Sequence, residues 1–198
     1  MRKYRNRGWD SGGPACHDEH VMRQLLLLRH AKSSWDEATL SDHARPLNGR
    51  GRVAAAAMGD QMRDLGLAPD IALVSSARRT LQTLEALQPF EAAPIIEVMD
   101  DLYLAPWPRL MDTLRDIPET ARSVLLIGHN PGLHDLSLAL MGPAGAALAS
   151  PPARRLAEGY PTGALAEFTI ASQWRQLGES GGRLVRFLAP RDLPEVAA

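Results

Sequence analysis

Short apolar runs alternate with amphipathic stretches along most of the chain, and this alternation constrains the fold more than any other feature. The runs at 25–28, 71–74 and 124–127 contain no polar residue, which is typical of strands buried on both faces of a sheet. Between them, apolar residues recur at three- and four-residue spacings, as at 53–65, which predicts helices. Because parallel strands need crossover helices, the pattern predicts an α/β fold: a mostly parallel central sheet with helices on both faces.

The remaining elements follow from the same pattern. Helices are predicted in the stretches "ARRTLQTLEAL", "WPRLMDTLRDI" and "HNPGLHDLSLAL", and a short strand in "PIIEV". The segments "GALAEFTIA" and "GRLVRFLA" lack an intervening helix, which predicts an antiparallel pair at one edge of the sheet. Residues 142–161 are rich in Gly and Pro and are interpreted as a loop, with a lid carrying Arg154 and Arg155 as one possibility.

The first 21 residues differ from the rest of the chain. They show no periodicity and mix charges with Gly and Pro, so we expect a disordered arm at 1–21 before a single domain at 22–198. Met22 is a candidate for the biological start. Within the arm, Cys16, His17 and His20 could bind a metal, but they lack a fourth ligand, and a solvated tail is the expectation.

Charge and cysteine content limit the partners. The formal net charge of -1 argues against a nucleic-acid partner, since such proteins usually carry a strong basic excess. A single cysteine excludes an internal disulfide framework and fits a reducing compartment. No apolar run approaches the roughly 18 residues that a membrane span needs. We therefore expect a cytoplasmic protein that binds neither nucleic acid nor membrane.

Cationic and polar side chains gather where three buried strands end. In chain order these are Arg29, His30, Ser75, Ser76, Arg78, Arg79, His129 and Asn130. Ligands of open α/β sheets bind at the carboxyl ends of strands, so these groups can converge on one site. Guanidinium neighbours make a poor zinc site but a good phosphate site. A neutral imidazole could attack phosphorus while the arginines stabilise charge on its oxygens.

Three motifs carry a resemblance to a known family. The segments "LLLLRHAKSSW", "SSARRTLQT" and "LIGHNPGL" resemble the histidine phosphatase superfamily, which includes phosphoglycerate mutases, acid phosphatases and SixA-type phosphohistidine phosphatases. With "RPLNGRG" and "YPTGALAEF", the likeness spans residues 22–172. The form Arg-His-Ala-Lys-Ser-Ser-Trp and the small size are similar to the SixA-like branch. The resemblance implies a phosphoglycerate mutase-like, three-layer α/β sandwich.

The resemblance also implies roles for individual residues. His30 would be the nucleophile that forms a phosphohistidine intermediate, and Arg29 would hold phosphate oxygens beside it. His129 would be the second histidine, hydrogen-bonding the phosphoryl group during transfer, and Asn130 would orient the site. The resemblance implies neither a metal nor a cofactor.

Two further segments are expected to contact the substrate. The family pattern Ser-x-x-x-Arg-x-x-Gln-Thr aligns its phosphate-binding arginine with Arg79, and Arg78 is then interpreted as a solvated helix residue. Lys32, Ser33 and Ser34 follow the nucleophile in a loop, where they could bind substrate or serve only the loop itself.

A weakly marked acid bears on the substrate. Larger family members protonate an alcohol leaving group with a carboxylic acid, for which this chain offers only Asp100 or Asp101, in "EVMDDLYLAPW". An alkoxide leaving group needs that proton, because its conjugate acid has a pKa close to that of water, near ~16. Imidazole titrates near ~6.5 and can leave with its own proton. The sequence therefore favours a phosphoramidate substrate.

Three functional hypotheses follow. The first is a metal-independent phosphatase that hydrolyses phosphohistidine on a protein through an intermediate on His30. The second is a phosphatase of the same mechanism acting on small phosphomonoesters, with Asp101 as general acid. The third is a non-catalytic phosphate-binding regulatory module. The phosphorylated partner, the oligomeric state and the role of the 142–161 segment stay open.

Overall fold

The computed structural model describes residues 22–36, 39–147, 150–193 and 196. The predicted arm at 1–21, with Cys16, His17 and His20, lies outside the described residues. The strands are β1 (Arg23–Arg29), β2 (Ile71–Ser75), β3 (Ile95–Met99), β4 (Ser123–Gly128), β5 (Leu165–Ile170) and β6 (Gly182–Leu188). The helices are α1 (Gly49–Asp64), α2 (Arg78–Leu87), α3 (Trp107–Arg115), α4 (Gly132–Ala147, kinked at Gly142) and α5 (Pro151–Glu158).

The six strands form one sheet in the order β3-β2-β4-β1-β5-β6. The strands β3, β2, β4 and β1 run parallel to one another, and β5 pairs antiparallel with both β1 and β6. The predicted antiparallel pair at one edge is therefore confirmed. In the register of β1 and β4, Arg29 lies opposite Gly128, so the next residue of each strand emerges at the same edge.

Hydrophobic layers cover both faces of the sheet. The four leucines of β1 are at most 1% exposed and point alternately to the two sides. Leu25 and Leu27 pack with residues of α3 and α4, whereas Leu26 and Leu28 pack with residues of α1 and α2. This arrangement confirms the three-layer α/β sandwich.

The start of α1 fixes the loop that follows β1. The Asn48 side chain caps the helix by accepting a hydrogen bond of 2.8 Å from the backbone N–H of Gly51. A Cβ at position 51 would lie 2.1 Å from the carbonyl oxygen of Lys32, so only glycine permits this approach. The loop and the helix are consequently held in backbone contact.

The 142–161 segment differs from the predicted loop, because it contains α5. Two prolines occupy the first helical positions, where their missing N–H groups cost nothing. Ala153 and Leu156 are buried, and Arg155 pairs with Asp192. Packing and an ion pair thus hold α5 against the rest of the protein. Among the described residues, no helix has the length and apolar character required to cross a membrane.

Candidate active site

Two histidines emerge side by side from the centre of the sheet. His30 and His129 directly follow the paired strands β1 and β4, and their ring centroids are 5.1 Å apart. The N–H of Gly163 contacts the carbonyl oxygens of Arg29 and His30, at 3.1 and 3.0 Å. Gly163 has a φ of +77°, a conformation that favours glycine. Gly163 therefore anchors the backbone carbonyl groups immediately before and after the Cα of His30.

The hydrogen bonds of His30 determine its tautomer. Nδ1 lies 2.8 Å from the carbonyl oxygen of Ala31, which can only accept, so Nδ1 carries the proton. Burial, together with the positive charges of Arg79 and Arg29, lowers the pKa of His30 to about 4. The ring is consequently neutral near pH 7, and its Nε2 is unprotonated, with a lone pair that can attack phosphorus once a ligand takes over the N–H of Arg79 that points at it.

The second histidine is held in the opposite tautomer. Nδ1 of His129 accepts from Nη2 of Arg79 at 3.2 Å, because a guanidinium group can only donate. Nε2 therefore carries the proton and donates to Oγ of Ser75, which is 2.8 Å away. Burial lowers the pKa of His129 to about 3, with further contributions from His30 and Arg79. The sequence placed Ser75 at a strand end but did not reveal this contact.

Arg79 connects the two histidines. It lies in the first turn of α2 and is only 3% exposed, whereas Arg78 is exposed. Besides contacting His129, it directs Nε at Nε2 of His30, with 3.3 Å between the nitrogens. The motif-based choice of Arg79 over Arg78 thus agrees with the placement of the two side chains.

One carboxylate at the site was missed by sequence reasoning. Asp42 begins a 3-10 helix (Asp42–Ala44) and forms a 2.9 Å ion pair with Arg79. The Tyr103 hydroxyl donates to it at 2.7 Å, and Arg45 donates at 2.9 Å. The hydrogen bond from Tyr103, followed by the two arginines, lowers the pKa of Asp42 to about 2. Only its place between cationic and polar residues in "SDHARPL" could have signalled a role, and that signal is weak.

Arg29 and Asn130 flank the histidines. Both donate to the carbonyl oxygen of Tyr160, Arg29 through Nη1 at 2.7 Å and Asn130 through Nδ2 at 3.1 Å. Burial and the neighbouring Arg79 lower the pKa of the Arg29 guanidinium. The buried Nε of Arg29 and Oδ1 of Asn130 have no hydrogen-bond partner in the described part of the chain.

The other predicted contacts lie at the margin. Lys32 is exposed, and Ser34 uses its hydroxyl on Asp36, at 2.6 Å. Asp101 is exposed and forms an ion pair with Arg109. Asp100 is exposed in the same turn. The contacts determined for the described residues do not join either of these aspartates to His30 or His129.

The charges of the site suit an anion. Among the described residues, Asp42 is the one carboxylate in contact with Arg29 or Arg79, and both histidines are neutral. No group of three or more metal-ligating side chains that could hold a metal ion occurs within the ranges that the structure describes. The arrangement can bind a phosphoryl group and present an imidazole nitrogen to its phosphorus.

Comparisons with known proteins agree with this geometry. The family model of the histidine phosphatase superfamily (branch 1) matches residues 25–103. A protein of Mycobacterium tuberculosis strain H37Rv is 30% identical over 164 residues, which cover 83% of this chain and 100% of the relative.

Solved structures extend the likeness to the fold. The proposed phosphohistidine phosphatase SixA of Nakamurella multipartitia has a TM-score of 0.76 and 28% identity, over 87% of this chain and 99% of that chain. Its counterpart from Agrobacterium tumefaciens has a TM-score of 0.71 and 30% identity, over 85% and 98%. A protein histidine phosphatase SixA complexed with tungstate has a TM-score of 0.67 and 26% identity, over 85% and 98%.

Proposed function

This chain belongs to the histidine phosphatase superfamily, and on that premise we propose that it is a metal-independent phosphatase that hydrolyses phosphohistidine. One observation carries the proposal. The unprotonated Nε2 of His30 faces the buried guanidinium of Arg79 beside a second neutral histidine. A nucleophile and an oxyanion-stabilising group therefore border the same space.

The first chemical step transfers the phosphoryl group to the enzyme. The lone pair of His30 Nε2 attacks phosphorus, and the bond between phosphorus and the leaving group breaks with its electron pair. Arg79 and Arg29 stabilise the charge on the equatorial oxygens, because their donors point along fixed directions. In the second step, water attacks the phosphorus of phosphohistidine, which releases phosphate and restores the free imidazole of His30.

His129 takes part through its Nδ1. In the ligand-free site this nitrogen is an acceptor, but a phosphoryl dianion beside it would favour the protonated ring. A protonated Nδ1 donates a hydrogen bond to a phosphoryl oxygen, while Ser75 keeps the ring in place through Nε2. His129 therefore stabilises the negative charge that develops on the phosphoryl oxygens in the transition state.

The carboxylates support the choice of substrate. Asp42 touches the site but, with a pKa of about 2, has no proton to give at neutral pH. Asp101, the predicted general acid, pairs with Arg109 at the surface. A leaving group that needs a strong proton donor should therefore depart slowly, whereas the imidazole of phosphohistidine leaves with its own proton. The SixA structure described as a protein histidine phosphatase is consistent with such a substrate.

A side-by-side rate comparison tests the proposal. We expect kcat/KM on a histidine-phosphorylated protein and on phosphoramidate to exceed that on sugar phosphate esters by about tenfold or more, a difference of about 1.4 kcal/mol in barrier. Faster turnover of the esters would refute the substrate class. In that case, a large loss in Asp101→Asn would identify Asp101 as the acid.

A second measurement tests the nucleophile. His30→Asn should abolish turnover and labelling of the protein by ³²P after an alkaline quench, which preserves phosphohistidine. His134→Asn is the matched control, since His134 lies outside the site and bonds to the carbonyl of Leu156. Unchanged turnover in His30→Asn would remove the proposed intermediate.

A further inference from the structure

The guanidinium of Arg79 has two donor edges with different partners. The edge formed by Nε and Nη2 faces the histidines, with distances of 3.3 Å to His30 and 3.2 Å to His129. The edge formed by Nη1 and Nη2 faces Asp42, with 2.6 Å to its carbonyl oxygen and 2.9 Å to Oδ2. The contacts to Asp42 are the shorter ones. A phosphoryl group between the histidines would use the first edge and leave the second undisturbed.

Resting on the proposed function, we propose that Asp42 is a positioning residue for the phosphatase reaction, which aims the Nε–Nη2 edge of Arg79 at the phosphoryl group. Both acceptors of the adjacent Nη1–Nη2 edge belong to this single residue, one from its backbone and one from its side chain. They fix the plane of the guanidinium as well as its position. Asp42 itself does not reach the reacting atoms.

Asp42 is in turn held by two further side chains. Tyr103, which follows β3, donates to the same carboxylate oxygen that Arg79 uses, and its ring lies edge-on to His129 at 5.5 Å between centroids. Arg45 donates to the other oxygen and also to the carbonyl of Ser34, at 2.9 Å. The carboxylate is therefore tied to the loop after β1 and to the turn after β3, although its side chain is 47% exposed.

Two other roles for Asp42 are less compatible with these contacts. As a blocking anion it would occupy the Nε–Nη2 edge that faces the histidines, but it contacts the adjacent Nη1–Nη2 edge. As a general acid it would need a proton, yet it accepts hydrogen bonds from Tyr103, Arg79 and Arg45. Each role predicts a different outcome for the same variants.

Kinetics of Asp42→Asn supply the first test. We expect kcat on phosphoramidate to fall roughly 100-fold, with a smaller change in KM, because a small misplacement of a catalytic group costs about this factor. Tyr103→Phe should fall in the same direction by less. Asp112→Asn is the matched control, since Asp112 forms an exposed pair with Arg115, and it should keep wild-type kinetics. Wild-type or faster turnover in Asp42→Asn would overturn the inference, and faster turnover would identify Asp42 as a blocking anion.

A double-variant cycle shows whether Asp42 acts through Arg79. Lysine cannot present a two-nitrogen edge, so in the Arg79→Lys background Asp42→Asn should change kcat less than about threefold, as coupled sites do. A full 100-fold loss in that background would show that Asp42 acts on the reaction independently, and would overturn the positioning role.

A spectroscopic readout separates this inference from the proposed function. The buried Nε–H of Arg79 should give a slowly exchanging ¹⁵N-bound proton signal in the ligand-free protein, assigned by its loss in Arg79→Lys. Asp42→Asn should accelerate its exchange at least about tenfold, whereas Asp112→Asn should not. An unchanged signal would refute the inference even if the wild type hydrolyses phosphohistidine. Faster exchange of this proton would support the positioning of Arg79 by Asp42 even if the wild type hydrolyses none of the substrates.

Discussion

The two ends of the central strands use buried polar groups in different ways. At the amino end, Arg23 pairs with Glu119 at 2.8 Å and donates to the carbonyl of Ser172. The Gln24 side chain donates to Glu167 and accepts from Ser123. At this end the charge of Arg23 is balanced by Glu119, and Gln24 has partners on two neighbouring strands, so these contacts stabilise that end of the sheet.

At the carboxyl end, positive charge exceeds negative charge. Asp42 is the carboxylate paired with Arg79, while Arg29 donates to a neutral carbonyl and keeps a buried Nε without a partner among the described residues. The two histidines are neutral because burial opposes their protonation. The contrast teaches that a buried arginine is not by itself a sign of a site. A buried arginine indicates a binding site when the neighbouring carboxylates do not balance the positive charge, so that this charge can bind a ligand.

Replacing one arginine at each end breaks this comparison most strongly. Arg79→Met should lower kcat/KM about 1000-fold, because it removes the donors that stabilise the phosphoryl oxygens. Arg23→Met should leave kcat/KM near the wild-type value and reduce the free energy of unfolding by about 2 kcal/mol, since Glu119 loses the guanidinium but stays partly exposed and keeps its hydrogen bonds from two backbone N–H groups. Steady-state kinetics and urea denaturation measure the two effects. Similar kinetic losses in both variants would contradict the division between the ends.

The pH dependence of stability sharpens the comparison. His30 has a pKa of about 4 in the folded protein against ~6.5 when unfolded, so the unfolded chain binds more protons between these values. Its contribution is fully present above about pH 6.5 and is lost as the pH falls towards 4. The loss amounts to roughly 3 kcal/mol, since one pKa unit corresponds to about 1.4 kcal/mol. Denaturation curves at pH 7, 5.5 and 4 should be less pH-dependent in His30→Asn, and identical dependence in both proteins would argue against the neutral imidazole.

Two buried serines provide the finest comparison. Ser75→Ala removes the acceptor that holds Nε2 of His129, and we expect kcat to fall about tenfold, in line with the net value of one hydrogen bond. Ser123→Ala, at the amino end, should cost about 1 kcal/mol of stability and leave kcat unchanged. Kinetics and melting curves of the pair decide. An unchanged kcat in Ser75→Ala would show that Ser75 does not set the tautomer of His129. A kinetic loss in Ser123→Ala would show that the amino end of the strands also affects the reaction.

The fold was largely predictable because its central strands are wholly apolar. The runs in β1, β2 and β4 have no polar interruption, and a parallel sheet follows from the helices between them. The prediction failed for α5, since its prolines and neighbouring glycines suggested a loop. Burial of Ala153 and Leu156 stabilises that helix, and such tertiary packing leaves little trace in local composition.

The site was predictable where a strand end or a family motif marks its residues. His30 and His129 come at the ends of two apolar strands, so the strand-end rule located both, and the motif located Arg79. Asp42 and Tyr103 reach Arg79 from loops that are distant in sequence, and no periodicity reports such a meeting. Asp101 was suggested only because it is acidic and lies in the expected segment. Its role as a general acid stays a prediction.

The register of β1 and β4 has a consequence for how the chain can vary. Because Arg29 is opposite Gly128, the 5.1 Å between the histidine rings is close to the spacing of neighbouring strands, about 4.8 Å. The pairing of the two strands thus brings the two histidines side by side. Insertions in the surrounding loops can alter which molecule is admitted without retuning the catalytic pair, whereas a single-residue deletion inside either strand would turn one ring to the opposite face.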